Sequence, residues 1–133
     1  MITAVDTNVL LDILIPNPVL HEASLTALSA ASNRGSLVVC DIVYAELLSQ
    51  FSTQTECDHF LSDGEIQVER LTPDASFLAG RSWRAYRSRG GSRTRILPDF
   101  LIGAHATLQA SRRLTRDRGF YSGAYPDLEV VAP

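Results

Sequence analysis

The run Ser36-Leu37-Val38-Val39-Cys40 constrains this chain more than any other stretch. After Ser36 it has no polar alternation. It therefore fits a strand buried on both faces, the environment of a parallel sheet covered by helices. Ile2-Thr3-Ala4-Val5 is a second short strand, running straight into Asp6. A carboxylate at the C-terminal end of a core strand lies where open α/β sheets place their ligands.

Helical stretches separate the strands. Thr7 or Asn8 caps a short helix through about Ile15, and Asn17-Pro18 opens another that stops at Asn33-Arg34-Gly35. Asp41 caps a helix through Leu48, and a further helical piece covers 54–62. Ile66-Gln67-Val68-Glu69 alternates, so this strand has one wet face and lies at a sheet edge. Thr72-Pro73-Asp74 starts a helix running to Gly90-Gly91, and a basic loop follows over 91–97. Pro98-Asp99 opens a helix that is apolar nearly all round and therefore buried. Gly103 inside it costs about 1 kcal/mol relative to Ala, which implies close packing on a neighbour. Arg113-Leu114-Thr115 and Leu128–Val131 complete the strands. Alternating strands and helices predict an α/β fold with a central, mostly parallel sheet of four to five strands. With no internal repeat or linker, residues 1–133 are expected to form one domain.

The net charge of −3 argues against a nucleic-acid partner, but its distribution argues for one. Residues 75–120 hold ten arginines against two acids, a balance of +8, and the remainder stands at −11. Such asymmetry suits a polyanion on one side. Arg81, Arg84 and Arg87 share one side of a helix, and Arg89, Arg93 and Arg95 flank the basic loop. A stripe of this kind is either a solvated face or a set of phosphate contacts. The apolar runs fall short of the roughly 18 residues a membrane span needs, and the N-terminus lacks a basic leader pattern. Cys40 and Cys57 have no metal-ligand spacing, and Cys40 ends an apolar run, so a reduced, buried thiol there and a cytoplasmic protein are expected.

Four acids fall at equivalent places in this layout. Asp6 ends the first strand, Glu46 lies in the helix after the second, Asp99 opens the buried helix, and Asp117 follows the Arg113–Thr115 strand. Each has a plainer reading alone. Asp99 complements a helix dipole, Asp117 suits a turn, and Glu46 suits a solvated helix face. Jointly they mark the C-terminal edge of one sheet. Clustered carboxylates repel each other unless a cation sits among them. A set of oxygen donors without His or Cys suits Mg²⁺ or Mn²⁺, and such an ion activates water for phosphodiester hydrolysis.

Four motifs carry a family resemblance. They are Asp6-Thr7-Asn8-Val9-Leu10-Leu11-Asp12, Tyr44-Ala45-Glu46-Leu47, Leu97-Pro98-Asp99-Phe100-Leu101-Ile102-Gly103-Ala104-His105-Ala106, and Leu114-Thr115-Arg116-Asp117-Arg118-Gly119-Phe120-Tyr121. In this order and at this spacing the chain resembles the PIN-domain nucleases, and more narrowly the VapC-type toxins of type II toxin–antitoxin pairs. The resemblance implies a three-layer α/β/α sandwich and a Mg²⁺- or Mn²⁺-dependent endoribonuclease that leaves a 5′-phosphate and a 3′-hydroxyl. It implies that Asp6, Glu46, Asp99 and Asp117 are the catalytic and metal-holding acids, with Asp6 and Asp99 closest to the ion. Thr7, Asn8 and Thr115 would orient those acids by hydrogen bonds. Arg116 and Arg118, with Arg93 and Arg95, would meet RNA. The expected partners are tRNA or another structured RNA, a second copy of the chain, and a VapB-type antitoxin whose C-terminal segment covers the acidic groove. Asp41 departs from the pattern, which has Ser or Thr there, and adds an acid near the site.

Other features are set aside. Asp12 lies almost two helical turns beyond Asp6 and reads as structural. His105, about 120° round its helix from Asp99, reads as a packed His. Trp83 and Tyr86 read as core or dimer interface. Receiver domains and haloacid-dehalogenase-like phosphatases also use a strand-end Asp with Mg²⁺. Both need a Lys, and this chain has none. The remaining alternatives are a non-toxin RNA-processing PIN nuclease and a non-catalytic RNA-binding PIN domain; the latter predicts a lost acid.

Overall fold

The structure, a computed structural model, describes residues 1–133. In chain order the elements are β1 (Ile2–Val5), α1 (Thr7–Leu14), α2 (His21–Ser32), β2 (Ser36–Cys40), α3 (Asp41–Leu48) and α4 (Gln54–Asp63). They continue with β3 (Ile66–Glu69), α5 (Pro73–Ser88), α6 (Leu97–Gln109), β4 (Arg112–Leu114), α7 (Arg118–Ala124) and β5 (Glu129–Val131). The strands form one five-stranded sheet in the order β3-β2-β1-β4-β5, and every pairing is parallel. Helices flank the sheet, as expected for α/β.

This order positions the site. From β1 the chain winds outward through β2 to β3, then returns to the other side of β1 for β4 and β5. The winding direction therefore reverses between β1 and β4. A crevice opens at the C-terminal ends of strands at such a reversal. Val5 pairs with Leu114 there, so Asp6 and Thr115 leave the sheet side by side. The core runs through the central strands, with Ala4, Val5, Leu37, Val38, Val39 and Leu114 all buried. β3 lies at the sheet edge, as expected, but its burial does not alternate: Gln67 and Val68 are both exposed, so the face that carries Val68 is left uncovered there.

Several helix ends differ from expectation. Asp6, not Thr7 or Asn8, is the N-cap of α1, because the backbone is still extended at Asp6 and its carboxylate accepts the Thr7 N–H at 2.7 Å. Asn17 caps a turn rather than α2. Its side-chain oxygen accepts the Val19 and Leu20 N–H groups, and α2 begins at His21. Asp41 does not cap α3; it is that helix's first residue, and its carboxylate accepts the Leu71 N–H across the sheet end. α5 stops at Ser88, closed by Gly90 at φ 72°, a left-handed conformation that favours glycine. α7 carries no capping or periodicity strong enough to read, and it was not expected.

The buried helix α6 packs as expected. A Cβ at Gly103 would lie 2.2 Å from Cε2 of Tyr125, whose hydroxyl donates to the Phe100 carbonyl at 2.7 Å. Burial of that phenol raises its pKa to about 12, so it stays a donor. His105 is fully buried, with Nε2 2.9 Å from Glu69 Oε1 and Nδ1 unpartnered. Burial lowers its pKa, outweighing the opposing pull of Glu69. Neutral His105 therefore donates Nε2–H to the carboxylate.

Gly103→Ala should destabilise the fold by about 1–2 kcal/mol, because overpacking outweighs the gain of Ala in a helix. A urea titration checks this, and an unchanged midpoint would contradict the Tyr125 contact. The depressed His105 value makes the unfolded chain the better proton binder. Stability contributed there is present above the ordinary value of 6.5 and is lost as pH falls below it. Unfolding midpoints measured from pH 8 to 5 should fall more steeply for the parent than for His105→Gln.

Candidate active site

Asp6 is the centre of the sheet's C-terminal edge. It is only 6% exposed, and both carboxylate oxygens are occupied. Oδ1 accepts the Thr7 N–H at 2.7 Å and lies 2.8 Å from a guanidinium nitrogen of Arg113. Oδ2 accepts the Thr115 hydroxyl at 2.6 Å and, more weakly, the Asn8 amide at 3.4 Å. A buried carboxylate demands such partners.

The other acids attach to this centre through short polar links. The Thr7 hydroxyl donates to Glu46 at 2.7 Å, so one residue holds two acids. The Asp117 N–H donates to the Thr115 hydroxyl at 2.9 Å, which fixes the backbone beyond β4. Asn8 bridges the same gap: its amide donates to Thr115 at 3.3 Å, and its oxygen accepts the Arg116 N–H at 3.2 Å. Asp99, in the first turn of α6, accepts the Ile96 N–H at 3.0 Å and helps cap its own helix. Its charge reaches the site. Asp117 and, behind it, Asp99 hold the Arg95 guanidinium more firmly protonated. Burial first, then the charges of Asp6 and Asp99, raise the Tyr121 phenol against the pull of Arg113.

Two arginines stand among the acids. Arg113, on β4, is 1% exposed and lies over the Tyr121 ring at 4.9 Å. Its contact with Asp6 is close enough for an ion pair but off the angle of a hydrogen bond, and its Nε has no partner. Arg95 reaches in from the segment between α5 and α6. Its two terminal nitrogens take both oxygens of Asp117 at 2.5 and 3.2 Å, and its guanidinium lies 4.4 Å from the Phe120 ring centre.

The sequence-derived candidates are thus brought together unevenly. Asp6, Glu46, Thr7, Asn8, Thr115 and Asp117 share one hydrogen-bonded network. By donor type the four acids fit a hard divalent cation. As they stand, no three carboxylates gather into a group that would hold one. Arg116 is exposed yet tethered: Nε and a terminal nitrogen engage Asp12 at 2.8 and 3.0 Å, and Asp12 also accepts the Ser24 hydroxyl. The buried Asp12 matches its structural reading. Arg95 is likewise paired, while Arg93 and Arg118 are exposed without acid partners. Arg113 and Arg95 as counter-ions were not foreseen. The available signal was an arginine inside a strand expected to be buried, which requires a partner.

Arg113→Met should cost about 3 kcal/mol or more, because it strands a buried carboxylate. Adding Asp6→Asn should recover part of that loss. Chemical denaturation of both variants checks this, and additive losses would contradict the ion pair.

The PIN domain family model matches residues 3–124 of this chain. None of the curated proteins matches it. Solved structures do. A chain of VapBC2 from Rickettsia felis, bound to a promoter DNA fragment, superposes with a TM-score of 0.77 at 18% identity, covering 99% of this chain and 98% of that one. VapBC-1 from nontypeable Haemophilus influenzae gives 0.74 at 18% identity, with coverage of 99% and 98%. FitAcB from Neisseria gonorrhoeae gives 0.69 at 21% identity, with coverage of 98% and 96%. These likenesses concern the fold. With the sheet order, the acids at its switch point and a family match over nearly its whole length, the chain belongs to the PIN domain family.

Proposed function

We propose that residues 1–133 act as one PIN unit, a metal-dependent endoribonuclease of the toxin class that cleaves tRNA or another structured RNA. In this reading it works as a homodimer in the cytoplasm and is neutralised by a VapB-type antitoxin. No helix is long and apolar enough to cross a membrane. The observation that supports the reading is the hydrogen-bonded network joining Asp6, Glu46 and Asp117 at the crevice between β1 and β4, with Asp99 at the start of α6 as the fourth acid. The fold shared with VapBC and FitAB complexes supports the toxin class.

Asp6 and Asp99 would hold the Mg²⁺ or Mn²⁺ ion, with Glu46 and Asp117 completing its surroundings. When bound, the ion supplies Lewis acidity at the phosphate and makes water a better nucleophile. The chain's own residues do the positioning. Thr7, Asn8 and Thr115 donate to Asp6 and fix the orientation of its carboxylate. Thr7 also fixes Glu46. Arg93 and Arg118, exposed and unpaired, meet the RNA backbone, and Arg116 holds the β4 loop against Asp12. Cleavage leaves a 5′-phosphate and a 3′-hydroxyl.

The pairing of Asp6 and Asp117 with arginines favours one alternative, a non-catalytic RNA-binding PIN domain. Cleavage assays separate the two. Asp99→Asn keeps an acceptor for the Ile96 N–H, so it should stay folded while RNA cleavage falls by about 100-fold or more. EDTA should abolish parental cleavage, and Mn²⁺ or Mg²⁺ should restore it. Unchanged cleavage by the folded variant, or chelator-resistant cleavage, would overturn the proposal.

A further inference from the structure

The acids of the site are compensated by two guanidinium groups of very different standing. Arg113 belongs to the sheet. Its backbone sits in register with Ala4 on one side and Val130 on the other, and its side chain is buried. Leaving Asp6 would put a bare cation and a bare carboxylate in the core. Arg95 belongs to a non-helical segment that begins after Gly90 and Gly91 and ends at α6. Its side chain is 31% exposed and that of its partner Asp117 is 34% exposed. Its anchors are Asp117 and the face of Phe120. Ion pairs this open are weak and easily exchanged.

The contact also engages both oxygens of Asp117. The guanidinium fork takes one lone pair on each and puts a full positive charge against the carboxylate, so a cation arriving at Asp117 meets a bound competitor. Asp117 thus pairs with Arg95 and Asp6 with Arg113, and no three acids gather into one group.

We propose that Arg95 is an exchangeable counter-ion of the site, competing with a divalent cation for Asp117, whereas Arg113 is a fixed one. Without the cation, Arg95 holds Asp117 and balances the field of Asp99. When the cation enters, Asp117 turns to it and the Arg95 fork is released into the crevice mouth. Arg95 thereby sets the affinity of the site for metal, beyond any contact it makes with RNA. This rests on the reading of the four acids as a divalent-cation site.

The test measures metal binding, not cleavage. Mn²⁺ is titrated calorimetrically at low ionic strength into the parent, Arg95→Gln, Asp117→Asn and the double variant. Removing the competitor should tighten Mn²⁺ about three- to tenfold, the range a weak, part-exposed ion pair allows. The gain should vanish when Asp117 is already Asn. A merely structural role for Arg95 would weaken binding or leave it unchanged, and either result overturns the proposal. Absence of Mn²⁺ binding by both parent and Arg95→Gln overturns the metal reading as well, whereas equal binding by both overturns this inference alone. Titration of the ¹⁵N-labelled parent with Mg²⁺ needs no variant. The Arg95 Nε–H resonance should move and that of Arg113 should not; an unmoved Arg95 signal at saturating Mg²⁺ contradicts the exchange.

Discussion

A carboxylate buried at the end of the central strand has to be answered by the residues around it, and the C-terminal edge of this sheet is arranged to do so. Asp6 takes the Thr7 N–H, the Thr115 hydroxyl, the Asn8 amide and the Arg113 guanidinium. Those contacts tie β1 to β4, orient Glu46 through Thr7 and set the backbone at Asp117 through Thr115. The sheet order makes them possible, because only at the β1–β4 reversal do two strand ends leave a crevice unfilled by a crossover.

The arginines change how the charge asymmetry should be understood. Ten lie between residues 75 and 120, but they do not form one basic surface. Arg95, Arg113 and Arg116 are ion-paired, and the buried Arg112 donates to the Thr3 hydroxyl. Arg81, Arg84, Arg87, Arg89, Arg93 and Arg118 remain exposed without acid partners. Some of those open cations lie over rings, Arg87 on Trp83 and Arg81 on Phe77, which keeps them ordered. The basic stretch thus divides into a partnered set, of which Arg95 and Arg113 pair with acids of the edge, and an unpaired set that faces solvent.

Much of the fold was legible because the signals were local. The β-branched run 36–40, the alternation at 66–69 and the Thr72-Pro73 start are properties of a few adjacent residues, and each produced the expected element. Gly103 was legible for a different reason. A glycine in a buried helix needs a close neighbour, and Tyr125 is that neighbour. The resemblance added the acids as a set. What was not legible depends on partners distant in sequence. Nothing beside Arg116 announces Asp12, 104 positions away, and nothing beside Arg95 announces Asp117. Helix starts shifted by one to three residues: Asp6 and Asn17 cap backbone groups just beyond themselves, and only Asp41 turns its carboxylate to a distant group, the Leu71 N–H. α7 is short and glycine-bearing, and its Phe120 packs edge-on against Phe100 of α6, a contact its own periodicity does not announce.

The central claim is that this edge is a divalent-cation site. The most direct measurement is an anomalous difference map from crystals of the protein soaked in MnCl₂. The account predicts a peak between β1 and α6, about 2 Å from carboxylate oxygens of Asp6 and Asp99. A map with no peak at this edge, or with manganese bound only elsewhere on the chain, would contradict it.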